Sequence, residues 1–120
     1  MLPKGERLSK EKDIKRALEE KEFVRHTPLL YLTARSNSLK HSRLLVITSK
    51  KIGTAVVRNR IKRNIVGAYS KIKYQISRYY DIVVFPKKNI AGRRQQEIVV
   101  SLQRAMQDAG ILNGCQESAR

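Results

Sequence analysis

The residues best equipped for chemistry are cations: Lys50-Lys51-Ile52-Gly53, then Thr54-Ala55-Val56-Val57, then Arg58-Asn59-Arg60-Ile61-Lys62-Arg63. The chemistry they suit is the binding of phosphate. A planar guanidinium meets two phosphate oxygens at once, and Arg58 and Arg60 supply two such forks flanking the Asn59 amide. The surroundings strengthen this reading. From Phe23 to Tyr80 the chain has no Asp or Glu across 58 residues that carry 13 Lys and Arg. Solvated surfaces ordinarily mix both signs, because neighbouring opposite charges pair and like charges repel. A one-sided segment of this length is the electrostatic footprint of a polyanion-binding protein.

Other chemistries find little support. A metallonuclease needs clustered carboxylates or histidines. The acids avoid the basic segment, six lying before Phe23 and four after Tyr80. His26 and His41 fall in expected loops without Glu-x-x-His or His-x-His spacing. No Ser-His-Asp or Cys-His arrangement is recognisable, and Lys50-Lys51-Ile52-Gly53 has too few glycines for a phosphate loop. Tyr69, Tyr74, Tyr79 and Tyr80 could stack bases, although Tyr69 and Tyr80 read as core positions. No catalytic residue and no metal ligand is assigned.

The elements that must position these cations follow from periodicity. At 120 residues the chain makes one domain. Its 41% apolar content is too high, and too regularly spaced, for disorder. No apolar run is long enough to span a bilayer, and the N-terminus has no signal-peptide pattern. The single cysteine, Cys115, excludes an internal disulfide framework and suits a reducing cytoplasm. Ser9 can cap a helix over about residues 10–20, with Ile14, Ala17 and Leu18 on one face. Phe23-Val24-Arg25 reads as a brief strand. Leu29–Ala34 and Arg43–Ser49 read as strands joined by a polar Ser36-Asn37-Ser38 turn, hence as an antiparallel hairpin. Thr54 caps a long helix to about Tyr74, whose stripe Val57, Ile61, Ile65, Ala68, Ile72, Ile76 faces the core. Gly67 inside that helix implies a close approach by another element. Asp81–Phe85, stopped by Pro86, is a buried strand. A last helix from about Arg93 carries Ile98, Leu102, Ala105, Met106 and Ala109 and ends at Gly110. Residues 1–112 form the domain, and 113–120 are a polar tail.

On the long helix, at about 100° per residue, the apolar stripe centres near Ile61. Arg58 then lies about 60° from the centre, Arg60 and Lys62 about 100° to opposite sides, and Asn59 and Arg63 about 160° away. The cations cover the whole outward surface of the first two turns. Repulsion from the positive helix end disfavours such a cluster; a bound polyphosphate removes the penalty and gains the terminal N–H donors. Asn59 could meet a base edge or bond to backbone.

Lys50-Lys51-Ile52-Gly53, Ala55-Val56 and Arg58-Asn59-Arg60-Ile61-Lys62-Arg63, at this spacing, closely resemble the signature of the bacterial ribonuclease P protein component. Arg7-Leu8, Ser42-Arg43-Leu44 and Tyr80-Asp81-Ile82-Val83-Val84 sit where that family has similar segments, so the resemblance covers most of the chain. It implies an α+β domain of order α-β-β-β-α-β-α, with a four-stranded sheet packed with helices, similar to the ribosomal protein S5 domain 2-like fold. It implies an accessory subunit of an endoribonuclease whose catalytic RNA removes the 5′ leader from precursor tRNA. The active site would lie in that RNA, with Mg²⁺ required by the ribonucleoprotein and no cofactor held by the protein. The expected partners are the catalytic RNA and the precursor tRNA leader, with no membrane and no obligate protein partner. Lys50, Lys51, Arg58, Asn59, Arg60, Lys62 and Arg63 would dock on the catalytic RNA. A second surface, for the leader, would be a cleft of Ile14 and Leu18 with Leu30, Tyr31 or Leu32. The family commonly has Phe at the two helix positions; aliphatic Ile14 and Leu18 offer contact without stacking, and packing against the sheet is an equal reading. A ribosomal-type RNA-binding protein and a membrane-surface protein are the rival functions. The second lacks the bulky amphipathic helix such binding favours.

Overall fold

In a computed structural model, described for residues 4–39, 41–76 and 78–112, three helices pack on the two faces of one sheet. The order is α1 (Glu11–Glu19), β1 (Phe23–His26), β2 (Leu30–Ser36), β3 (Arg43–Val46), α2 (Ala55–Ile72), β4 (Tyr80–Pro86) and α3 (Gln95–Asp108). This is the α-β-β-β-α-β-α order expected. The proposed tail, 113–120, lies outside the described residues.

The sheet runs β1-β2-β4-β3. The expected hairpin of the second and third strands is therefore wrong: β4 lies between them, antiparallel to β2 and parallel to β3. β4 is buried on both faces over nearly its whole length, which only a central strand can be. Four-residue β3 takes the edge, and α2 is the crossover that a parallel pair requires. The hairpin is instead β1–β2, paired from Phe23↔Ala34 to His26↔Tyr31. Thr27 closes its turn: its N–H donates to the Leu30 carbonyl at 2.8 Å, and its Oγ1 accepts from the Leu30 N–H at 3.2 Å.

Strand alternation divides the apolar residues between two cores. Leu30, Leu32, Ala34, Leu44, Val46, Ile82 and Val84 join α2 and α3 in the larger one. Leu8, Ala17 and Val83 centre a smaller one beneath α1, with Ile14, Leu18, Leu45, Ile47 and Phe85 half-buried around them. α2 begins where Thr54 Oγ1 accepts from the Val57 N–H at 3.4 Å, the expected cap. Gly53 before it has φ 156°, and a Cβ there would press on the Val57 side chain at 3.1 Å. At Gly67 the expected close approach is made by the Gln95 side-chain amide of α3, which occupies the space of a Cβ. α1 starts one residue later than expected, with Lys10 rather than Ser9 at its cap and no side-chain cap bond; Glu11 and Asp13 in its first turn favour the helix dipole instead. The long helix gives way at Lys73–Gln75 to a 3-10 turn, so Ile76 leaves the stripe and forms a bridge with Leu112.

One buried charge ties these parts together. The Asp81 carboxylate is 2% exposed. It accepts from Arg43 Nε at 2.8 Å and Nη2 at 2.7 Å, and from Asn37 Nδ2 at 2.9 Å. Arg43 Nη1 reaches Asp13 of α1 at 3.1 Å. Hydrogen bonding to Asp81 above all, opposed by burial, raises the Arg43 pKa, so the guanidinium stays charged. Tyr69 is buried in the larger core, and burial, helped by Glu6, pushes its phenol well above the ordinary value.

Asp81→Asn removes the charge that accepts two hydrogen bonds from Arg43 and leaves the guanidinium only Asp13, and urea unfolding should show a loss of about 1–3 kcal/mol. For Tyr69, a raised folded pKa gives stability that is complete below the unfolded value near 10 and is lost as pH rises through it. Between about pH 10 and 11, stability should fall more than in Tyr69→Phe, by about 1 kcal/mol.

Candidate nucleic-acid interface

α2 is anchored by its inner stripe: Ile61, Ile65, Ala68 and Ile72 are buried, and Val57 packs against them. That anchoring fixes the opposite surface. Asn59, Arg60, Lys62 and Arg63 are exposed, as the helical wheel requires, and Lys50 and Lys51 are exposed on the 3-10 turn Lys50–Ile52 just before the helix. Ser49 holds that turn, its Oγ accepting from the Lys51 N–H at 3.2 Å. Arg58 is half-buried, closest to the stripe, and its Nε is buried without a hydrogen-bond partner. Among the described residues, none of these six cations is in an ion pair; the pairs involve Arg35, Arg43, Lys73 and Arg93. All seven residues named from sequence thus lie along the first turns of α2 and the turn before it, and no ion pair among the described residues offsets their charge.

The surface continues past its helix on both sides. Lys62 and Val66 border a groove of about 400 Å³ whose far wall is Arg7, Ile14 and Leu45. This groove follows the β3 edge and connects the α2 flank to the α1 face. On the other flank Gln95 Nε2 donates to the Asn64 carbonyl at 3.5 Å, which places Arg94, its chain neighbour, beside α2. Sequence reasoning assigned no role to Arg7 or Arg94, because their placement depends on tertiary contacts.

The apolar residues named for a second surface divide between the two faces of the sheet. Ile14 and Leu18 of α1 meet the sheet face that carries Leu45, Val83 and Phe85. Tyr31 lies on that face, its ring stacked on Phe85 with centroids 4.5 Å apart and planes 10° from parallel. Leu30 and Leu32 do not belong to the cleft. They are fully buried in the α2–α3 core, because alternate residues of a strand point to opposite faces. His26 extends the stack, 4.9 Å from Tyr31, and stands at the end of β1 rather than in a loop. The column His26–Tyr31–Phe85 crosses three neighbouring strands and gives the cleft the aromatic surface that α1 lacks. Phe85 alternates with the core residues Ile82 and Val84, so its face was readable once α1 was known to cover that side. Among the described residues, no three His, Cys, Asp or Glu side chains converge as a metal site.

A sequence model of the family described as Ribonuclease P matches residues 2–110. The ribonuclease P protein component of Clostridium novyi is 29% identical over 113 residues, covering 93% of this chain and 100% of that one. That of Macrococcus caseolyticus is 31% identical over 112 residues, covering 93% and 96%. Among solved structures, the RNase P protein of Staphylococcus aureus superposes with a TM-score of 0.79 at 28% identity, over 90% of this chain and 98% of that one. The RNase P protein of Thermotoga maritima gives 0.74 at 25% identity, over 82% and 93%.

Replacing Arg58, Arg60, Lys62 and Arg63 together with Ala should weaken binding to single-stranded polyuridylate and flatten its salt dependence. Each phosphate left without its cation lowers the log–log slope by about 0.7. An unchanged slope in a salt titration would show that these cations face no phosphate.

Proposed function

This chain belongs to the ribonuclease P protein family, and on that footing we propose how it serves as the protein subunit that works with an RNA component on the 5′ leader of precursor tRNA. The cationic surface of α2, with Lys50 and Lys51, docks on the catalytic RNA through phosphate contacts. The α1–sheet cleft receives the unpaired leader, with Tyr31 and Phe85 offering rings for bases and Ile14 and Leu18 apolar contact. The observation that carries this reading is the continuity of the two surfaces: the groove between Lys62 and Arg7 leads from one to the other along the β3 edge.

The physical task is to bring two polyanions together. Unpaired cations on a fixed backbone replace condensed counterions, and their release drives association. A leader strand crossing from α2 to the cleft is held at several points, which turns a bimolecular encounter into an oriented one. The protein supplies position and charge, while phosphodiester hydrolysis and its Mg²⁺ belong to the RNA.

The test is reconstitution with a bacterial ribonuclease P RNA and precursor tRNA at low Mg²⁺. Added protein should raise leader cleavage, and Tyr31→Ala/Phe85→Ala should lose part of that gain on a long-leader substrate while keeping affinity for the RNA component. Absence of any stimulation would favour an RNA-binding protein outside a catalytic assembly. Cleavage without the RNA would move the chemistry onto the polypeptide.

A further inference from the structure

At the far end of α2 two tyrosines remain in water: Tyr74 is 78% exposed and Tyr79 48%. Tyr79 stands between two grooves. One, of about 280 Å³, is bordered by Tyr74, Lys73 and His41; the other, of about 390 Å³, by Ser36 and Asn37. Ile76 and Arg78 border both. The Tyr79 backbone is held in place. The Asn37 N–H donates to the Tyr79 carbonyl at 3.0 Å, while Ser42 Oγ accepts from the Tyr80 N–H at 3.0 Å and donates to the Arg78 carbonyl at 3.4 Å. The acids nearby are neutralised. Glu6, on the first groove, is paired with Lys73 at 2.8 Å, and Asp81 behind Asn37 is buried against Arg43. Arg78 is exposed and in no ion pair among the described residues.

We propose that this end of the molecule is a second binding site for single-stranded RNA, taking two consecutive unpaired nucleotides with their bases on either side of Tyr79 and the phosphate between them at Arg78. Two slots sharing one aromatic wall and one free cation reproduce the base–phosphate–base repeat of a single strand, and base–ring stacking tolerates any sequence. A protein partner or a second copy of the chain would not require the cation at the shared rim. The site is separate from the α2 docking surface: α2 ends at Ile72, and the rise of about 1.5 Å per residue puts roughly 14 Å of helix between Arg63 and that end. It does not depend on the function proposed above.

The experiment uses the full chain carrying Ala at Arg58, Arg60, Lys62 and Arg63, which weakens the competing α2 surface, and a short oligouridylate containing 4-thiouridine. Irradiation should place crosslinks on Tyr74 or Tyr79. Tyr79→Ala in that background, which removes the ring both bases share, should weaken binding by at least about 5-fold, the lower bound for loss of one base stack, whereas Tyr79→Phe should retain it. Arg78→Ala should lower the salt slope by about 0.7. Thermal melts of each variant confirm that the fold is retained. Crosslinks confined to the α1–sheet cleft, or binding indifferent to Tyr79→Ala, would overturn the proposal. So would a dimer in sedimentation that Tyr79→Ala dissociates, since that would assign the patch to a second copy.

Discussion

The Asp81 carboxylate meets the Arg43 guanidinium through two short hydrogen bonds inside the protein, and the arrangement of the sheet rests on that contact. Asp81 is the first acid after the cationic middle of the chain. It sits at the start of β4, pairs with the start of β3 and bonds Asn37 beyond the end of β2, and Arg43 extends the link to Asp13 of α1. β3 has only four residues and one neighbouring strand, so its ladder alone holds it weakly. The buried Asp81 carboxylate favours one register, since a shift would take Arg43 away from it and strand a buried charge. β3 in turn launches Lys50, Lys51 and α2. The start of the crossover that carries the cationic face of α2 is therefore tied, through one strand, to a carboxylate at the crossover's other end, while the core stripe anchors the helix itself.

The sheet then works as a partition. One face carries the large core that anchors α2 and α3; the other carries a small core under α1 and a column of stacked rings that runs from Phe85 out to exposed His26. These faces are separated by the thickness of the sheet, and the route between them is the β3 edge, where Arg7 and Lys62 stand on either side of the groove. Backbone that would otherwise be open to edge pairing is partly closed there by the Arg7↔Leu44 bridge.

Much of this is legible from residue order, and the limits have physical causes. The stripe from Val57 to Ile72 and the Thr54 cap are local, and a local pattern defines a helix and its outward face. Tyr69 and Tyr80 are core residues, as their spacing suggests. Strand neighbours are not local. Leu29–Ala34 and Arg43–Ser49 look like a hairpin because a short polar loop joins them, and nothing nearby signals that β4 inserts between. Leu30 and Leu32 are misplaced in the cleft for a related reason: a run apolar at every position does not declare which alternate residues face which helix. The His26–Tyr31–Phe85 column draws one ring from each of three strands, so it exists only after the strand order is known.

The strand order also has a temporal side. The inner strand β4 comes after two-thirds of the chain, and both of its neighbours precede it. A chain emerging from its N-terminus can form α1, the β1–β2 hairpin and α2, yet none of them can be enclosed until Tyr80–Pro86 arrives. Until then the segment with 13 positive charges has gained no new acid to offset them. Closure of this sheet is a late, long-range event of the kind that slows folding. It coincides with the arrival of the carboxylate that accepts two hydrogen bonds from Arg43.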